Sequence, residues 1–413
     1  MTNKERVHAA LEGRPVDRMP VTVLYNQLYH LDHYAELTGR PAWEWQRWQH
    51  ADPEEHLAIY RTIVERAPFE ILQPQGAPAR EARKSVEFRK LQGRAERRAG
   101  PDAAWEPVVV ESVSGHAYDD RPHQTRHVFT PADVRQRVKV TSAEDRIGSG
   151  ANDFLDAAVG AFGRDHFILS GGVVGTLYSC SWHVGLTNLF AMLIQEPELI
   201  EYLSQRILEQ NIEHIRQLAA AGGDAIYIDD ATATSDMISV AHYERFCLPY
   251  LREMVGEIHS LGHKAILIYF GGVSDRLEQI ASLGADGLSV EASMKGYTND
   301  IGEIAARIGH RVTLFGNIDP VGVLQQGSDE QLEVEIRRQV AAGRRARGFI
   351  VCTGSPITPS TPLARVRRFI EMAIAIGASD RSAGSCDASA SPVSGRGTGV
   401  PPVSQADGKR LNR

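Results

Sequence analysis

Ala225-Ile226-Tyr227-Ile228-Asp229-Asp230 is a short apolar run ending in two carboxylates, and it decides how the rest of the chain is read. Runs of the same design follow at helix-length intervals. Ala265–Ile268 leads into Tyr269, Gly287–Val290 into Glu291, Val312–Gly316 into Asn317, and Phe349–Val351 into Cys352. They are mostly apolar rather than strictly alternating, which suits strands buried on both faces of a parallel sheet. A polar residue at the C-terminal end of each such strand is where a (β/α)8 barrel assembles its active site. The pattern predicts an enzyme.

Working outward, Met19–Tyr25, Phe69–Leu72 and Phe167–Val173 supply three earlier strands and bring the total to the eight that close a barrel. Thr2-Asn3-Lys4-Glu5 is a capping box that opens a helix through Leu11, stopped by Gly13 and Pro15. Residues 42–66 are expected to be helical, with Trp43, Trp45 and Trp48 as packing residues, and further helices are expected over 187–219. Glu196-Pro197-Glu198 places a proline and two acids at a helix start, suiting the missing N–H and the positive end of the dipole.

Residues 76–146 break this rhythm and are expected to form a capping subdomain inserted after the second strand. Arg80, Arg83, Lys84, Arg89, Lys90, Arg94, Arg97 and Arg98 crowd one segment of it, against Glu81, Glu87 and Glu96. Glu106–Ser112 and Thr125–Thr130 are expected as antiparallel strands. The charges either form a solvated ribbon or in part face an anionic substrate. From Ser379 to Arg413 the chain turns to Ser, Gly, Pro and Ala without an aromatic residue, a composition expected to stay disordered because it buries too little to offset its ordering entropy.

With 413 residues, 42% of them hydrophobic, the chain can bury a large core. A net charge of −7 argues against a general nucleic-acid or membrane-surface binder. Cys180, Cys247, Cys352 and Cys386 are widely spaced, the usage of a reduced cytoplasmic protein rather than a disulfide framework.

Asp229 and Asp230 point to opposite faces of their strand, so one is expected to enter the barrel mouth and the other to buttress it. A carboxylate there suits general acid–base work, or a helix cap or salt bridge. Glu291 offers a second carboxylate across the mouth, and two carboxylates in one dry pocket split their pKa values into an acid and a base. Tyr269 is a hydrogen-bond donor or a packing residue; Asn317 is a substrate ligand or part of a corner, and Asp319 is read as structural. His30 and His183 are candidate proton carriers. Gly171-Gly172 and Gly271-Gly272 are turn or close-approach glycines, with no phosphate-binding fingerprint near them.

Several motifs carry a resemblance. They are Glu12-Gly13-Arg14-Pro15-Val16-Asp17-Arg18-Met19-Pro20, His242-Tyr243-Glu244-Arg245-Phe246 with Pro249-Tyr250, Phe315-Gly316-Asn317-Ile318-Asp319-Pro320, and Gly354-Ser355-Pro356-Ile357 with Thr361-Pro362. Together they resemble the uroporphyrinogen decarboxylase superfamily, which includes the decarboxylase of haem synthesis and cobalamin-linked methyltransferases. The resemblance implies a TIM barrel and family dimers. Where the decarboxylases carry an arginine-rich signature, this chain has Tyr25-Asn26-Gln27-Leu28-Tyr29-His30; their strand-two aspartate corresponds to Glu70 and their strand-eight histidine to Ser355. The zinc ligands of the methyltransferases correspond to Ile268, Phe270 and Ser355, so no metal site is expected.

The resemblance therefore implies methyl transfer between a small methylated compound and a corrinoid (cobalamin) co-substrate carried by a partner protein, with no firmly bound cofactor. Asp229, Asp230, Glu291 and Glu70 are the expected catalytic residues. Tyr25, Asn26, His30, His183, Tyr269, Asn317 and Ser355 are the expected substrate contacts. The alternatives are decarboxylation of an acetate-bearing tetrapyrrole and a non-catalytic corrinoid or tetrapyrrole binder.

Overall fold

A computed structural model describes residues 1–74, 76–113, 130–293 and 296–379. The strands, in chain order, are β1 (Ile71–Leu72), β2 (Val86–Leu91), β3 (Arg94–Ala99), β4 (Glu106–Pro107), β5 (Phe167–Val174), β6 (Ala225–Asp230), β7 (Lys264–Tyr269), β8 (Gly287–Val290), β9 (Thr313–Phe315) and β10 (Phe349–Ile350). β1 and β5 to β10 form one parallel sheet in sequential order, with helices between its strands. Seven of the eight expected strands are thus joined in ladders. The remaining one, expected over Met19–Tyr25, lies against β10 through a single parallel bridge, Val21 to Val351, with Thr22 N donating to the Val351 carbonyl at 2.9 Å and Val351 N to that of Pro20 at 2.9 Å. On its other side the Asn26 amide donates to the Ile71 carbonyl at 2.8 Å, and no backbone ladder joins it to β1 among the described residues. The arrangement is a TIM barrel whose first strand is held by few bonds.

Strand parity sorts the core into two layers. Ala225, Ile266, Ile268, Phe315 and Cys352 point inward with Ile71, Phe167 and Leu169. Ile226, Ile228, Leu267, Leu288 and Leu314 point outward into the helices. Helix Asn3–Leu11, opened by the expected capping box, closes the N-terminal end. Its Val7, Ala10 and Leu11 join the inner core, while Lys4 and His8 reach Asp224, which precedes β6, at 2.9 and 2.8 Å. The opposite end, where the strands finish, is left for the site.

The helical reading of 42–66 is corrected at Asp52, which caps a new helix, Pro53–Arg66, and separates it from Glu44–Gln49. Only Trp48 of the three tryptophans is fully buried. Short helices at Asn26–Asp32 and Tyr34–Thr38 carry too few apolar repeats to have been read from periodicity. The helices expected over 187–219 are Leu186–Gln195 and Pro197–Ala220, the second opening at Pro197 as its signal predicts, and a further helix, Thr176–Val184, precedes them.

The inserted ribbon exists, but its main strands are β2 and β3, not those expected. Gln92 and Gly93, both at positive φ (48° and 83°), make the tight turn between them. Only Glu106 and Pro107 of the expected 106–112 strand pair, against β3. Thr125–Phe129 lie outside the described residues, and Thr130 caps helix Pro131–Arg137. Among the described residues, four of the eight basic residues form ion pairs: Arg89 with Glu96, Arg98 with Glu87, and Arg80 and Arg83 with Asp153. Arg89 and Arg98 also stack on Trp105 at 4.2 and 4.8 Å. This matches the solvated-ribbon reading. Ser379, where the tail was expected to begin, still ends helix Leu363–Ser379, and the rest of the expected tail, 380–413, lies outside the described residues.

Candidate active site

At the C-terminal end of the barrel, parity separates the adjacent aspartates. Asp229 follows Ala225 and Tyr227 on the inner face. Asp230 points outward, where its Oδ1 accepts from Thr232 N (2.7 Å), Thr232 Oγ1 (2.8 Å) and Ala233 N (2.9 Å). That is a loop cap, and burial raises its pKa despite these bonds. The expectation that one aspartate enters the mouth and the other buttresses it is met by Asp229 and Asp230 respectively.

Asp229 accepts a hydrogen bond from the Tyr25 hydroxyl. Tyr25 is in the left-handed region (φ 53°, ψ 47°), where the chain turns from the first strand into helix Asn26–Asp32. Burial lifts the Asp229 carboxyl to about 7; the Tyr25 bond opposes this and nearby Asp230 adds to it. A carboxyl poised at neutral pH can give or take a proton.

Around Asp229 stand Tyr227, edge-on to Tyr25 at 5.4 Å, and Phe270, 5.8 Å from the Tyr25 ring. Gly172 on β5 makes room for Tyr227: a Cβ there would meet its ring at 2.3 Å. Gly271 is equally constrained, with φ 149° and space for a Cβ only 2.5 Å from Asp236. Both pairs are the close-approach glycines the sequence suggested.

Glu291 follows Gly287 and Ser289 inward from β8 and is buried. Tyr297 donates to its Oε2, and Ser355 Oγ to its Oε1 at 3.3 Å. Asn317 lies behind it. The Asn317 amide donates to the carbonyls of Asn299 (2.7 Å) and Glu291 (3.4 Å) and accepts from Gln339 (3.2 Å). Both of its amide donor bonds go to holding the Glu291 loop. Asp319 accepts from Val321 N (2.8 Å) and Gly322 N (3.0 Å), capping the turn Pro320–Gln325.

The structure brings Tyr25, Asp229, Glu291, Asn317 and Ser355 to one end of the barrel, with Asn26 at its wall. Others go elsewhere. Glu70 precedes β1 at the closed end, in ion pairs with Arg6 (3.4 Å) and Arg18. Tyr269 points outward, its hydroxyl 2.9 Å from that of Tyr243. His30 is fully buried between Phe69 and Tyr60, ring centroids 5.7 and 6.1 Å away, and burial lowers its pKa to about 3. His183 is half-buried in helix Thr176–Val184, its pKa lowered by burial and by Arg137. The sequence reading missed Tyr227, Phe270 and Tyr297. Two-residue spacing from Asp229 and Ile268 marks the first two, whereas Tyr297, in a loop, carries no signal.

Ile268, Phe270 and Ser355 do not fit a zinc ion. The thiol on the inner face, Cys352, is fully buried and burial pushes it up to about 12. No group of three or more His, Cys, Asp or Glu side chains arranged to hold a metal occurs among the described residues. Nor is any helix among them long and apolar enough to cross a membrane.

The sequence model of the family described as Uroporphyrinogen decarboxylase (URO-D) matches residues 113–375. Uroporphyrinogen decarboxylase of Tolumonas auensis is 29% identical over 183 residues, 44% of this chain and 49% of that protein, so this chain spans about half its length. The decarboxylase of Pseudomonas syringae pv. syringae is 27% identical over 65% of this chain and 74% of that protein. Methylcobamide:CoM methyltransferase MtbA of Methanosarcina acetivorans is 24% identical over 383 residues, 90% of this chain and 97% of that protein. The solved structure of a methyltransferase from Methanosarcina mazei, 22% identical, superposes with a TM-score of 0.60 over 90% of this chain and 98% of that one, which shows a shared fold.

Proposed function

This chain belongs to the uroporphyrinogen decarboxylase family, a family of enzymes, and from that membership and the barrel mouth we propose that it transfers a methyl group between a small methylated compound and a corrinoid. The observation that carries the reading is the make-up of the mouth. Among the described residues, Asp229, Glu291, Tyr297 and Ser355 stand beside the aromatic rings of Tyr25, Tyr227 and Phe270. Such a lining suits an uncharged or hydrogen-bond-donating methyl compound. The end-to-end match to the methylcobamide methyltransferase supports it.

A corrinoid presented by a partner protein is the co-substrate and supplies the cobalt that gives or takes the methyl group. Asp229, poised between its two protonation states at neutral pH, donates a proton to the atom of the small compound that gives up the methyl group to the corrinoid, or takes that proton away when the methyl group moves the other way, and Tyr25 holds the carboxyl in place. Glu291, oriented by Tyr297 and Ser355, accepts a hydrogen bond from the substrate. The test is incubation of the purified protein with cob(I)alamin or methylcobalamin and a panel of methyl donors and acceptors. A change in the corrinoid absorption spectrum with one of them is expected; no change with any would count heavily against the proposal.

The decarboxylase relatives favour a second reading, loss of carboxyl groups from a tetrapyrrole. Coproporphyrinogen appearing from uroporphyrinogen would favour it over methyl transfer.

A further inference from the structure

A TIM barrel is normally filled by layers of inward side chains, yet beneath Tyr25 a small cavity remains. Its walls are apolar: Leu24, Ile71, Phe167, Leu169, Ile268 and Phe315. Tyr25 closes it from above, held in its left-handed backbone conformation and bonded through its hydroxyl to Asp229. A bulky residue keeps such a conformation only when its surroundings over-determine it, and such positions cluster at ligand clamps.

The polar lining is Thr22, Asn26 and Gln73. Gln73 is engaged with the Tyr227 hydroxyl. Asn26 is 1% exposed and uses its Nδ2 on the Ile71 carbonyl, but its Oδ1 is buried without a hydrogen-bond partner. A buried acceptor left unpaired is costly, and a ligand bringing one donor would satisfy it. Among the described residues no carboxylate, ammonium or guanidinium lines the cavity, so a charged ligand would enter uncompensated.

We propose that the barrel interior beneath Tyr25 is a subsite for a small uncharged molecule with an apolar body and one hydrogen-bond donor, of the aliphatic alcohol class, and that Tyr25 is its gate. The apolar body fills the space between Leu169, Ile268 and Phe315. The donor meets Asn26 Oδ1. The Tyr25–Asp229 bond keeps the gate shut in the absence of ligand. This names a ligand class for the same end of the barrel and so rests on the reading of that end as the reaction site.

The test is saturation-transfer NMR on the full chain, without corrinoid, using 1-propanol and its isomer methoxyethane, which lacks the donor. Propanoate and propylammonium serve as charged counterparts. The expected result is binding of 1-propanol about 10-fold tighter than methoxyethane, as one hydrogen bond warrants, with no transfer to either ion. Ile268→Phe and Leu169→Phe, which fill the cavity, should each weaken 1-propanol by about 10-fold or more while keeping the native circular-dichroism melt. If neither variant folds, the isomer comparison on the unaltered protein decides. Equal binding of isomers and ions, or 1-propanol binding unchanged in the filled variants, would overturn the subsite. Because no turnover is read, binding here without methyl transfer removes only the functional reading, and methyl transfer without binding removes only the subsite.

Discussion

The Tyr25 hydroxyl donates to the carboxyl of Asp229, and this one bond ties the weakly paired first strand to the end of β6. It joins a strained backbone position to a buried acid with a pKa of about 7. The bond therefore has consequences for both activity and stability.

Asp229→Asn should lower kcat/KM by about 10²-fold or more, the usual contribution of a general acid. For the native enzyme the rate should fall as pH rises through about 7, where the acid loses its proton. Stability follows the same sign. The folded pKa is raised from 3.8, so the stabilising contribution is complete below 3.8 and is lost as pH rises through about 7. At pH 9 the Asn variant should be more stable than the native chain by up to about 4 kcal/mol. Urea unfolding of both proteins at pH 5 and pH 9 checks this; equal stability differences at the two pH values would refute it.

Tyr25→Phe removes a hydrogen bond that lowers the Asp229 pKa. The alkaline limb of the rate profile should then move up by roughly 1 unit, the effect of losing one bond to a charged group. An unmoved limb would mean that the phenol does not tune the acid.

Glu291→Gln keeps the shape that Tyr297 and Ser355 recognise: they meet different oxygens, so one hydroxyl can donate to the amide oxygen and the other can turn to accept from the amide nitrogen. A drop in kcat/KM of about 10²-fold with a nearly unchanged melting temperature is expected. A large loss of stability with normal turnover in the folded fraction would make Glu291 structural.

Glu70→Gln leaves Arg6 and Arg18 without their buried carboxylate at the closed end of the barrel. The expected loss is about 3 kcal/mol of stability, the lower end for breaking a buried pair, with kcat/KM of the folded protein unchanged. A selective loss of activity would restore Glu70 as a catalytic candidate.

His30 and His56 are buried, neither has a partner for its ring nitrogens among the described residues, and burial lowers both pKa values to about 3. The unfolded chain takes up these protons near 6.5, so stability should fall as pH drops from about 6.5 towards 3. The slope should approach about 1.4 kcal/mol per pH unit for each histidine. His56→Phe, which preserves stacking on Phe154 3.5 Å away, should flatten the acid side of the stability curve. An unchanged slope would show that His56 is not responsible.

Much of the fold is legible in the sequence alone. Eight apolar runs, the capping box at Thr2 and the proline at 197 are local signals, and each marks its element because periodicity and caps act within a few residues. The same runs place Asp229 and Glu291 at strand ends, so the two inward carboxylates of the candidate site could be named.

What the tertiary structure alone decided is direction and company. Which of Asp229 and Asp230 faces inward depends on how β6 registers against β5 and β7, and a one-residue slip would exchange them. Glu70 reads as another strand-end acid, yet it precedes β1 and meets two arginines from the opposite end. Tyr25 acquires its strained conformation and its bond to Asp229 from contacts 204 positions apart. The sequence by itself determined the barrel and its acidic rim, because those follow from local burial and hydrogen bonding. Pairing, protonation and the apolar space beneath Tyr25 arise only where distant segments meet and exclude water.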